Sequence, residues 1–236
     1  MRSQGRKEEA KLSHQPLVQP CEDSISERLD NAVARHGTGA HAHILSGCMN
    51  RGPNAMRNLA DAVHFLCILH GRFPAIIDHA ARINAEPLSS RWMTEASEAF
   101  TQERRLLLQM ASALGPVPST PGQARSEAAV NAQCRALDML AQSERRGCAL
   151  GASITLMLEW RTIRVLMDLS ADKLDLKPVE CSLPDLRLTA RTAEEAAANP
   201  AIERAMMFGA DQLLLQHRSL WDLLAVRTAA RDASGY

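Results

Sequence analysis

Apolar side chains recur at every third or fourth position through four long windows of this chain, and nowhere do they alternate with polar ones along a β-branched run. The first pattern greases one face of a helix and the second one face of a strand, so the chain carries material for helix-on-helix packing and none for a sheet. Aromatic residues make up only 3% of the sequence, which leaves Ala, Leu and Met to fill the interior and favours the same outcome. At 236 residues the chain buries enough surface to need no disulfide or metal as a staple.

Local signals place the elements. Ser24 with Glu27 forms a capping box ahead of Ile25, Leu29 and Val33, predicting a helix to about His36, where Gly37 and Gly39 interrupt it. The segment GTGAHAHILSGC reads equally as a glycine-rich loop or a short helix. From Asn54, the residues Leu59, Val63, Leu66 and His70 share one face until Gly71 and Pro74 break the run, and Pro74 opens AIIDHAARIN as a first-turn proline. A stripe of Trp92, Ala96, Phe100, Leu107, Met110 and Leu114 marks a helix over about 90–114. Thr120, Pro121 and Gln123 are a further start signal, and no proline follows before Pro178. A straight helix over 121–170 would span roughly 75 Å, longer than a domain of this size, so it projects or bends, with Gly147 and Gly151 the places for a bend. The same two glycines either admit a close helix neighbour or are simply tolerated. Ile202, Met206, Gly209, Leu213, His217, Leu220 and Leu224 form the last stripe, which fades after about Arg231. The expectation is an all-α chain: an antiparallel helical bundle of four main helices with accessory helices, of which the ferritin-like architecture is one form. Residues 1–22 read as a disordered N-terminal arm and 23–232 as a single domain.

Twenty-seven basic and twenty-seven acidic residues cancel, so no broad attraction to nucleic acid or to an anionic membrane is expected. The cysteines Cys21, Cys48, Cys67, Cys134, Cys148 and Cys181 are scattered without a CxxC pair, the usage of reduced thiols in a cytoplasmic protein. The first twenty residues lack the apolar centre of a signal peptide, and no window is apolar for long enough to predict a membrane span.

Each main helix carries one ionisable group on its apolar stripe: His70, Glu103, Glu144 and His217. Such groups are costly in an apolar interior unless they pair, hydrogen-bond, hold a metal or line a wet cavity. Three readings follow: a buried salt-bridge network, a divalent transition-metal site, or the polar anchors of a small-ligand pocket. No Glu-x-x-His pair of the di-iron kind is present, Asp61-x-x-His64 being the nearest departure, and no cofactor is predicted. Asp61, His64, Asp78 and His79 form a secondary group that only the break at Gly71 and Pro74 could bring together. His41 and His43 would direct both rings to one side only from an extended strand.

The runs HFLCILHGRFPAIIDHA, QARSEAAVNAQ and SERRGCALGASITLMLEW are similar to those of an uncharacterised bacterial helical family with no assigned activity, over roughly residues 36–175. The resemblance implies a bacterial, cytosolic protein and carries over no catalytic role. No nucleotide loop or nucleophile elbow is present. The expected function is a non-catalytic module that binds a small ligand or a protein partner. The rival is a metal-dependent, ferritin-like bundle enzyme built on the inward Glu and His residues. Wide stripes and close-approach glycines also suggest a homodimer.

Overall fold

The computed structural model describes residues 23–83, 87–177, 179–197 and 199–234, so the expected N-terminal arm lies outside it. The described residues contain no strand. The chain runs α1 (Ile25–His36), a 3₁₀ turn (Thr38–Ala40), α2 (Ala42–Leu45), α3 (Ala55–His70), α4 (Ile76–Ile83), α5 (Pro87–Leu114), α6 (Gln123–Ala141), α7 (Cys148–Ala171), a second 3₁₀ turn (Asp172–Leu174), α8 (Leu186–Ala196) and α9 (Pro200–Ser234). No described helix is long and apolar enough to cross a membrane.

The capping box at α1 is formed as read: Ser24 Oγ accepts the Glu27 N–H at 3.3 Å, and Glu27 Oε2 accepts the Ser24 N–H at 2.9 Å. Two other start signals misplace the helix. Pro74 sits in the turn before α4, which begins at Ile76, and the Thr120 hydroxyl donates to Pro118 O at 3.3 Å while Gly122 leads into α6. The 121–170 window is two helices joined by residues 142–147. Gly147 precedes α7 at φ 93°, a left-handed conformation natural to glycine, so the chain turns there rather than bending at Gly151.

At the centre lies α7, buried around nearly its whole circumference, with Trp160 fully enclosed. A fully buried side chain of this kind stabilises by roughly 1.5–3 kcal/mol, which makes α7 the element the others wrap. Its closest neighbour is α9. A Cβ added to Gly151 would lie 2.1 Å from Met206 O, and one added to Gly209 would lie 2.0 Å from Cys148 O. The close-approach reading of Gly151 therefore holds, with Gly209 completing it from the other side.

The pairing of α7 with α9 corrects the antiparallel expectation. Gly147 meets Ile202, Gly151 meets Met206, and Glu159 meets His217, both chains ascending, so these helices run parallel. The return stretch, residues 172–199 with α8, makes this possible. Against α9, α3 runs antiparallel, with Asn54 beside Asp232, Asp61 beside Arg227 and His70 beside His217. Against α5, α3 is again antiparallel, with His64 near Gly115 and His70 near Arg104.

Candidate functional site

Where α3 ends, α7 and α9 bring three ionisable side chains into line. His70 Nε2 lies 2.8 Å from His217 Nε2, and His217 Nδ1 lies 3.0 Å from Glu159 Oε2. The turn after α1 closes the far end: Thr38 N–H reaches both Glu159 oxygens at 2.9 and 3.1 Å, and the Thr38 hydroxyl donates to Oε2 at 2.7 Å. That hydroxyl in turn accepts the Trp221 Nε1–H at 2.9 Å. Gly37 makes this approach possible, because a Cβ there would lie 2.1 Å from Glu159 Oε1. Its N–H also closes α1 on Val33 O.

Hydrogen-bond direction follows from the partners. An ionised Glu159 only accepts, so His217 donates from Nδ1, and a single proton lies between the two Nε2 atoms. Burial alone would raise the Glu159 carboxyl; the bonds and charge of His217 and the two donors of Thr38 outweigh it and hold the group below the ordinary carboxylate value. Burial, then the neighbouring His217 and Arg104, push His70 well below the ordinary imidazole value. Its ring stands edge-on to Phe100 at 6.2 Å and to Trp160 at 5.4 Å, an aromatic box that keeps it neutral.

Glu103 belongs to a different cluster. Its carboxylate accepts from Trp160 Nε1 at 3.0 Å and from Arg164 Nη1 at 2.6 Å, and Arg164 also holds Asp168 at 2.8 Å. Burial nonetheless lifts the Glu103 carboxyl above its ordinary value, with those two donors opposing. Glu144 does not point inward: it is exposed on the connection between α6 and α7, because the helix that would have turned it to the core ends at Ala141. Of the four residues expected inside, His70 and His217 meet, Glu103 is buried nearby with partners of its own, and Glu144 is outside.

The secondary group disperses among separate partners. Asp78 accepts from Ala75 N–H and the Ser97 hydroxyl, both at 2.8 Å, and from Arg104 Nη2 at 2.5 Å. His64 Nε2 meets Gly115 O at 2.7 Å, and His79 is half-buried on α4. Asp61 is fully buried against α9, where Arg227 clamps it through Nε at 2.7 Å and Nη2 at 2.8 Å and Arg231 Nη2 also bonds it. His41 and His43 diverge: His41 caps α2 and reaches Asp222 at 3.0 Å, while His43 lies beside Cys48.

Sequence reasoning missed Glu159, Arg227 and Arg231. Glu159 is the sole acidic residue between Cys148 and Met167, and the first half of α7, residues 148–160, is buried on every side but Leu158, so no polar face makes it stand out. The arginines were legible, since 213, 217, 220, 224, 227 and 231 continue one stripe.

Among the described residues no group of three or more His, Cys, Asp or Glu side chains is arranged to hold a metal ion. The described cavities lie elsewhere and are lined by none of His70, Glu103, Glu159 and His217. One, of about 20 Å³, is an apolar space beside Trp221. Two are grooves against the outer face of α9. The first, about 280 Å³, runs between Met139 and Leu140 of α6 and Phe208 and Gln212 of α9; the second, about 700 Å³, continues past Phe208 to Arg145, Arg146 and Arg204. The Arg145 guanidinium lies 5.4 Å from the centre of the Phe208 ring. Met139 and Phe208, which line the first groove, are 76% and 43% exposed.

No curated protein and no solved structure matches the chain. A family model does match over residues 33–232, nearly all of the helical region, and the chain belongs to that family, DUF6975, a family of unknown function.

Proposed function

We propose that this chain is a non-catalytic helical module that binds a protein partner along the outer groove between α6 and α9. The observation that carries the reading is a contrast in how polar and apolar groups are spent. Inside, each buried carboxylate is already bonded by a named donor, so its lone pairs are spent on the fold. Outside, Met139 and Phe208 line a joined pair of grooves bordered by Arg145, Arg146 and Arg204. An apolar floor with a cationic end suits an acidic amphipathic segment, whose aliphatic side chains would cover Phe208 while its carboxylates meet Arg145 and Arg204.

The test is recovery of a partner from the source cell with wild-type chain and with F208E and M139E, followed by binding of the two purified proteins. Loss with the groove variants, and retention with V165E, which changes an exposed apolar residue on α7, supports the reading. Equal binding by all of them overturns it. The ferritin-like metal enzyme remains the rival: its Glu and His ligands would have to exchange the partners they now hold, and elemental analysis of the purified protein separates the two.

A further inference from the structure

We propose that Arg227 and Arg231 hold a small monatomic anion, of halide size, in the interior between α3 and α9. The two guanidiniums stand one helical turn apart, are 2% and 1% exposed, and share the single carboxylate of Asp61. That cluster carries one positive charge more than it carries negative. The neighbouring groups do not cancel it. Asp232 is exposed and accepts from Asn54 Nδ2 at 2.9 Å, and Asp222 is bonded to His41 at the surface. His43, which Arg231 reaches electrostatically, is pushed down by burial, by His41 and by Arg231, so it adds no charge at neutral pH.

Three nitrogens of the pair, Arg227 Nη1, Arg231 Nε and Arg231 Nη1, are buried with no acceptor. Arg227 Nη2 has a weak second acceptor in Pro118 O at 3.4 Å, and the face of Phe65 lies 5.1 Å from the Arg227 guanidinium, while among the described residues Arg231 has neither. Buried N–H groups are nearly always satisfied, and an unbalanced buried charge is costlier still. Water would accept the hydrogen bonds and leave the charge. An anion answers both demands. Both arginines are enclosed between α3 and α9, so a monatomic anion suits the place better than an organic acid, which would need a cavity of its own.

Crystals of the wild-type chain grown in bromide, with data collected at the bromine edge, test this directly. The expected result is an anomalous peak beside the Arg231 guanidinium, together with a thermal midpoint that rises with chloride or bromide against gluconate at equal ionic strength. In R231M both signals disappear. No peak, a water in its place, or a halide dependence that persists in R231M overturns the proposal. A peak without any halide dependence of the midpoint marks an adventitious ion only, and overturns it as well. The bromide experiment needs no variant, so it decides even if R231M fails to fold.

Discussion

Two buried polar clusters share α9, and they are put together on opposite principles. In the upper one, Glu159, His217, His70, Thr38 and Trp221 form a chain in which successive donors and acceptors match around one carboxylate. In the lower one, a single carboxylate faces two permanent cations and three guanidinium nitrogens lack acceptors. The first can adjust its charge by moving a proton and the second cannot. Buried charges therefore divide into those that titrate to suit the interior and those that require a counter-charge from elsewhere.

The largest effect expected from breaking this contrast is D61A, which leaves two guanidiniums buried without their carboxylate and should cost about 3–5 kcal/mol in urea unfolding. A loss of under about 1 kcal/mol would mean that the arginines escape to water and that the lower cluster is not a buried one. Next comes E159Q, which keeps the shape but removes the charge that His217 and Thr38 bind; about 2 kcal/mol is expected on the scale of charged hydrogen bonds. H70F should cost about 1 kcal/mol, since it exchanges one hydrogen bond for apolar contact in an aromatic box.

H70F also tests the titration. Because the folded state holds His70 far below the unfolded value, the unfolded chain takes up the proton first, and stability falls as pH drops below about 6.5. In H70F that part of the pH slope should vanish, while the later loss below about 4.5, to which Glu159 contributes, remains. An unchanged slope between pH 6.5 and 5 would show that His70 is not the group responsible. Smallest of all is R231M in halide-free buffer: removing the less fully bonded cation should change stability by less than about 1 kcal/mol, in either direction.

Much of the architecture is legible in the sequence. The capping box at Ser24, the break at Gly71 and the stripe from Trp92 to Leu114 are local signals, and local physics decides them. Features set by distant contacts were not legible. Nothing near residue 142 in the sequence announces the end of α6, so periodicity carries Glu144 along a stripe that stops at Ala141. The parallel course of α7 and α9 depends on how the stretch from 172 to 199 returns, which periodicity does not encode. His70 and His217 were recognisable as inward residues because amphipathic helices display their exceptions. Glu159 was not, because the half of α7 that carries it has no wet face for it to be an exception to. The close approach of α7 and α9, where Gly151 admits Met206 O and Gly209 admits Cys148 O, was half visible: the small residues could be seen, but not which helix would use them.

The 35 residues of α9 supply His217 to Glu159 and His70, Trp221 to Thr38, and both arginines to Asp61. On a translating ribosome every one of those earlier residues emerges before its complement exists. A nascent chain halted after α8 would hold an uncompensated aspartate and glutamate in whatever collapsed state it reached, a strong reason for it to stay unlocked. Arrest of synthesis just short of α9, followed by limited proteolysis of the tethered chain, would show whether this last segment acts as the bolt that commits the molecule to its fold.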